Sequence, residues 1–201
     1  MMALAENQAD ALTEVINIAF SRSAAALSEI TGHRVLLEVP EVSVHPIHEL
    51  KDCLGEFVNE EIATVHQIFS GAVSGDAMLM LNYQGAVHLS RLLTETGNTD
   101  ERLYESDREV LTEVGNILLN ACLGTFGNML HVQITFAVPR LQLEDLDGLL
   151  GSVMIGKDEI QYALVVYTTF RIKISEITGF LVIVLGVNSL ELLLKALDTL
   201  E

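Results

Sequence analysis

Residues 10–32 read DALTEVINIAFSRSAAALSEITG, and residues 109–126 read EVLTEVGNILLNACLGTF. Leu-Thr-Glu-Val followed by Asn-Ile stands at 12–18 and again at 111–117, an offset of 99 residues (111 − 12). Val39-Pro40 and Val138-Pro139 keep the same offset further on. Two matches in one register are hard to obtain by chance. The chain therefore reads as a tandem duplication within a single domain, residues 1–201, with repeats at about 1–99 and 100–201.

Each repeat opens with an amphipathic helix. Leu12, Val15, Ile16, Ala19, Ala26, Leu27 and Ile30 recur at helical spacing, and Gly32 supplies a stop. Leu111, Val114, Leu118, Cys122, Phe126 and Met129 do the same in the second repeat, where Ser106 or Asp107 is the expected cap. Extended segments follow at 35–44 and 132–143. Pro40 and Pro139 inside them demand an edge position or a bulge. Further strands are expected at 62–73, 76–83, 162–172 and 177–187, with Ser74-Gly75 as a turn. Shorter helices close the repeats at 85–96 and 189–200, the last capped by Asn188 or Ser189. The polar segment 97–107 connects the two halves. The expected fold is α/β (α+β): an α-β-β-β-α unit twice, a mainly antiparallel sheet, both long helices on one face, and pseudo-two-fold symmetry.

With 28 acidic and 11 basic side chains, the net charge is −17. Such a chain repels nucleic acid and anionic membranes, so a protein partner is the better expectation. Half of the residues are apolar, enough for a substantial core. The opening residues lack the basic and apolar regions of a signal peptide, and the apolar run 180–187 is too short to span a bilayer. No membrane insertion and a cytoplasmic location are expected. Cys53 and Cys122 permit one disulfide but do not make a disulfide scaffold.

The chemistry is expected on the polar sides of the two long helices. Asp10, Glu14, Asn17 and Ser21 fall at i, i+4, i+7 and i+11, and Glu109, Glu113, Asn116 and Asn120 repeat that spacing. At about 100° per residue each set forms a narrow stripe. A solvated helix face explains one such stripe. It explains two less well, because Asn is a poor helix former and Lys, Glu or Gln would serve a solvated face better. The Glu-x-x-Asn pair also persists in both repeats while Ile16 and Arg22 give way to Gly115 and Ala121. A carboxylate can hold a cationic group, and a carboxamide, donor and acceptor at once, can orient water. Neither is a strong nucleophile, so the pattern favours docking and water positioning over covalent catalysis.

These two stretches resemble the signature helices of the CheC/CheX/FliY chemotaxis phosphatases, whose pattern is Asp or Ser, three residues, Glu, two residues, Asn. Length, duplication and helix placement resemble CheC most. The resemblance implies a phosphatase acting on a phosphorylated CheY-type response regulator. Asn17 and Asn116 would align the attacking water, and Glu14 and Glu113 would bind the regulator's active-site lysine. Asp10, Ser21, Glu109 and Asn120 would flank them at the docking surface. Asp10 fits the leading position of the pattern, whereas Glu109 departs from it. The implied Mg2+ belongs to the regulator, and no metal or other cofactor is expected on this chain. CheD is a further partner the resemblance implies, and two sites in one chain favour a monomer.

Other constellations are weaker. His45, His48, Glu49, Asp52 and His66 match no zinc spacing, and Pro46 breaks the alignment of the first two, so an irregular inter-strand segment is expected there. Gly71-x-x-x-Gly75 lacks the Lys-Ser/Thr ending of a phosphate loop. Ser21 and Ser23 have no evident base, and Cys122 lies on the apolar side of its helix. The competing functional class is a non-catalytic adaptor that binds the regulator, CheD or a flagellar switch component through the same stripes.

Overall fold

The computed structural model describes residues 4–55, 61–94, 100, 102–154 and 161–198, the side chains of 39, 40 and 154 excepted. Helix α1 (Glu6–Thr31) leads into strand β1 (Val35–Pro46), a 3-10 turn (Ile47–Glu49) and a short helix α2 (Leu50–Cys53). Strands β2 (Ile62–Gly71) and β3 (Gly75–Asn82) form a hairpin, and helix α3 (Tyr83–Thr94) ends the first half. The second half runs α4 (Glu105–Leu130), β4 (Ile134–Phe136), β5 (Arg140–Glu144), α5 (Leu146–Met154), β6 (Gln161–Ile172), β7 (Ser175–Gly186) and α6 (Val187–Leu197).

The seven described strands join one sheet in the order β1-β6-β7-β3-β2-β4, with β5 also on β2, and every pairing is antiparallel. β4 and β5 pair with successive stretches of β2 and so act as one interrupted edge strand. The interruption contains Pro139, and on the opposite edge the β1 register shifts between Glu38 and Glu41, around Pro40. A proline removes a ladder donor, and both halves tolerate it in the way the sequence implies, at the sheet margins. The edge strand of each half pairs with the middle strand of the other half: β1 with β6, and β4–β5 with β2. β3 and β7 meet at the centre, with Met78 opposite Val182. This exchange has two-fold form and is compatible with the duplication read from the sequence.

Strand alternation sends side chains to two cores. Ala77, Leu79 and Leu81 of β3 enter the larger one, with Leu12, Ile16 and Phe20 of α1 and Leu111, Leu118 and Cys122 of α4. Both long helices thus lie on one face, as expected. Met78 and Met80 point the other way, into a smaller core with Val165, Val182 and Val184, closed by Leu50 and Leu54 beside α2 and by Leu146, Leu149 and Val153 of α5. Burial on both sides explains why residues 180–185 form an unbroken apolar run rather than an alternating one. Lys51 of α2 meets Asp147 of α5 at 2.6 Å across this second face.

To the α-β-β-β-α order the structure adds an element. Each half carries a short helix between its first and second strands, because the sheet has a second apolar face to cover. α1 stops at Gly32, as expected, and Gly32 adopts a left-handed φ of 68°. Smaller corrections concern the starts of two other helices. α4 starts at Glu105, so Asp107 acts from inside the first turn: its carboxylate accepts from the Tyr104 N–H at 2.8 Å and from the Ser90 hydroxyl at 3.1 Å. α6 is preceded by Gly186, which places Asn188 and Ser189 within the helix. Residues 97–99 and 101 of the connector, 95–96 after α3 and 199–200 after α6 lie outside the described residues.

Candidate functional site

Apolar anchoring aims the polar stripes. Leu12, Val15, Ile16 and Ala19 are buried under α1, which leaves Asp10, Glu14, Asn17 and Ser21 all exposed on its outer side. On α4, Leu111, Val114, Leu118 and Cys122 are buried, and Glu109 and Glu113 are exposed. Asn116 and Asn120 sit lower, half-buried. The cause lies one residue before Asn116. Gly115 is buried with the Val65 side chain directly over it, so close that a Cβ at 115 would collide with Val65 Cγ1 and Cβ. At the corresponding place α1 carries Ile16, fully buried. α4 thus approaches the sheet more closely at its Glu-x-x-Asn pair than a helix bearing a side chain there allows.

The two pairs differ in hydrogen bonding. The Asn120 Nδ2 donates to Asn116 Oδ1 at 2.7 Å, and the Asn116 Nδ2 donates to Glu113 Oε2 at 3.5 Å. Glu113, Asn116 and Asn120 form a relay along one side of α4. In α1 the position one turn beyond Asn17 is Ser21, whose side chain carries a hydroxyl in place of the carboxamide. Asn120, expected as a docking residue, is half-buried and hydrogen-bonded to Asn116.

Some neighbours of the stripes escape sequence reasoning. Glu109 and Glu113 border a groove of about 520 Å3 whose other walls are Glu105, Arg108, Thr112, Arg140 and Leu141. Arg140 reaches it from β5, a juxtaposition that only the sheet topology reveals. Beside Asn17, Ile18 is 40% exposed, whereas its counterpart Ile117 packs partly against the core.

The remaining sequence candidates separate in space. His45 closes β1, with its Nε2 at 2.9 Å from Ser43 Oγ and 3.5 Å from Cys53 Sγ, while His48 lies in the 3-10 turn. These residues belong to a strand end and a turn rather than to an irregular segment. His66 is on β2, at 2.9 Å from Asp76 Oδ1. Among the described residues no group of three or more His, Cys, Asp or Glu side chains is placed to hold a metal ion. Cys53 and Cys122 are both free thiols, Cys122 wholly buried. One described helix, α4, is long and apolar enough to cross a membrane, but half of its most apolar window is buried in the fold.

No family model matches the chain. It is 24% identical over 176 residues to the flagellar motor switch phosphatase FliY of Bacillus subtilis (strain 168), covering 87% of this chain but only 44% of that protein. It is 26% identical over 170 residues to the CheY-P phosphatase CheC of the same organism, covering 82% of this chain and 80% of CheC. The crystal structure of Thermotoga maritima FliY matches with a TM-score of 0.78 at 17% identity over 100% of both chains. The FliM middle domain from H. pylori matches with a TM-score of 0.65 at 12% identity, over 96% of this chain and 99% of that one. At those identities the structural likenesses establish the fold alone. In sequence over more than four-fifths of its length this chain is similar to the CheC and FliY proteins, and it shares the fold of FliY over all of its length.

Proposed function

We propose that the chain is a phosphatase for a phosphorylated CheY-type response regulator, with one Glu–Asn site on α1 and a second on α4. The observation that carries this reading is the outward-facing pair repeated on both helices, Glu14 with Asn17 and Glu113 with Asn116, in a chain whose relatives bear the names CheY-P phosphatase and motor switch phosphatase. Both pairs stand on outer helix faces, Glu113 at the rim of the open groove shared with Arg140, a setting that suits a reacting group carried on another protein's surface.

The chemistry asks little of this chain. An aspartyl phosphate is an acyl phosphate. Water attacks phosphorus, the bond from phosphorus to the carboxyl oxygen breaks, and the products are the free aspartate carboxylate and dihydrogen phosphate. Charge development is spread over the phosphoryl oxygens, so placing the water in line supplies much of the acceleration. Asn17 or Asn116 would hold that water through its carboxamide. Glu14 or Glu113 would fix the docking register by a charge-assisted hydrogen bond to the regulator's lysine. The Mg2+ that neutralises the phosphoryl group would be the regulator's own.

The alternative is an adaptor that binds a regulator or a flagellar switch component without hydrolysis. What favours it is the fold, shared with a FliM middle domain. The asparagines separate the two readings, since docking through the glutamates serves both. Phosphate release from a phosphorylated CheY-type receiver domain, measured with and without the protein, should accelerate with the wild type. Acceleration should vanish for Asn17→Ala with Asn116→Ala, while binding of the phosphorylated domain persists. A wild type that binds the domain but never speeds its dephosphorylation leaves the adaptor.

A further inference from the structure

Resting on the phosphatase reading, we infer that the two sites are unequal, and that Asn120 is the positioning residue that makes the α4 site the more active one. The hydrogen-bonded row Asn120–Asn116–Glu113 carries this. Its direction follows from the chemistry of its last member. An ionised carboxylate only accepts, so Glu113 requires the amino end of Asn116. Asn116 must then turn its oxygen toward Asn120, and Asn120 must present its amino group, as the 2.7 Å contact shows. The arrangement leaves Asn120 Oδ1 buried without a partner among the described residues. An unsatisfied buried acceptor calls for a reason, and holding the neighbouring carboxamide in one orientation is one.

The consequence for the reaction is geometric. Asn116 enters the encounter with its side-chain torsions already set, and one lone pair of Oδ1 is still open for water. Asn17 lacks such a brace. Ser21, four residues on, offers a hydroxyl in place of the Asn120 carboxamide, and Asn17 is exposed. A free rotor must be ordered at the moment of reaction, which lowers the fraction of productive encounters. Gly115 contributes by lowering this part of α4 toward Val65, so that Asn120 is half-buried rather than solvated.

The test isolates each site. In an Asn17→Ala background, which leaves only the α4 site, Asn120→Asp removes the donor with almost no change in shape, and Asn120→Ser copies the first site. Both should lower kcat about three- to tenfold, the range of one neutral hydrogen bond, with KM for the regulator held within about twofold. In an Asn116→Ala background, Ser21→Asn should raise the kcat of the α1 site by a similar factor. A purely structural role for Asn120 predicts no such gain. Unchanged kcat in both Asn120 variants, or no gain from Ser21→Asn, overturns the inference. Should the wild type show no phosphatase activity, the reading beneath fails, and the brace is then judged by NMR alone. In that case the Asn116 side-chain amide signals must move in Asn120→Ser, and their staying in place overturns it.

Discussion

Glu144 is the carboxylate most at odds with its surroundings. It ends β5, opposite Ile62, and its Oε1 is buried without a hydrogen-bond partner among the described residues. Burial pushes its pKa up, the negative charge of Asp145 pushes the same way, and His66 opposes them. A carboxyl whose pKa is raised on folding stabilises the fold below its unfolded value. That contribution is lost as pH rises through the folded value. At neutral pH the ionised Glu144 is therefore a cost. Glu144→Gln should raise Tm at about pH 7, and the difference should close by about pH 4, where the wild-type side chain is largely protonated too. Thermal melts across that range check it, and a variant with lower Tm at neutral pH would show that Glu144 has a stabilising partner after all. None of this is legible in the sequence, where Glu144 is one of 28 acidic residues. Glu14 and Asn17 are different: their spacing against a regular apolar stripe is enough to fix their outward direction. Spacing also puts Asn116 and Asn120 on the stripe but cannot give their depth, which depends on what lies under residue 115.

That depth is a property of the elements, α4 and β2. Gly115 and Ile16 occupy equivalent places in the duplicated motif, and the sequence shows the difference only as drift. The structure gives it a cause, since the Val65 side chain fills the space a Cβ at 115 would need. Gly115→Ala should therefore destabilise the protein by about 1–3 kcal/mol through overpacking, despite the better helix propensity of alanine. It should also reduce α4-site activity in an Asn17→Ala background. Val65→Ala combined with Gly115→Ala removes the two methyls and so part of the clash, leaving the residue 65 Cβ 2.6 Å from the new one, and the pair should be more stable than the sum of the single variants predicts. Additive losses in denaturant unfolding would place the collision elsewhere. The long helices, the hairpins and the proline-marked edges were legible because each rests on a local rule: period 3.6, period 2, or a missing donor. α5 was not, because LDGLLGSVM is nine residues with two glycines and carries little helical signal of its own. It is a helix because the second apolar face of the sheet, with Met78, Val165 and Val182, needs a cover.

The sheet binds the two halves of the molecule into one folding unit. Among the described residues β1 pairs only with β6, and β4 and β5 pair only with β2, so each half donates its edge strand to the other. β3 and β7 add a further ladder between the halves at the centre. On the helical side, Leu12, Ile16 and Ala19 of α1 share one core with Leu111, Leu118 and Cys122 of α4. A half expressed alone keeps one hairpin and loses every one of these pairings. It would expose unpaired ladder groups and one open apolar helix face, a state that self-associates rather than standing as a monomer. Fragments 1–99 and 100–201 should accordingly show no cooperative unfolding as separate monomers. Mixed in equal amounts they should recover it, as a complex of one copy of each, because each restores the edge that the other lacks. Calorimetry with light scattering on the fragments and their mixture checks this. A monomeric, cooperatively melting 1–99 fragment would mean that the first repeat carries a complete core by itself. The exchange of edge strands would then be a decoration on two independent units rather than what joins them, and the positions of α1 and α4 side by side, on which both proposed sites depend, would need another explanation.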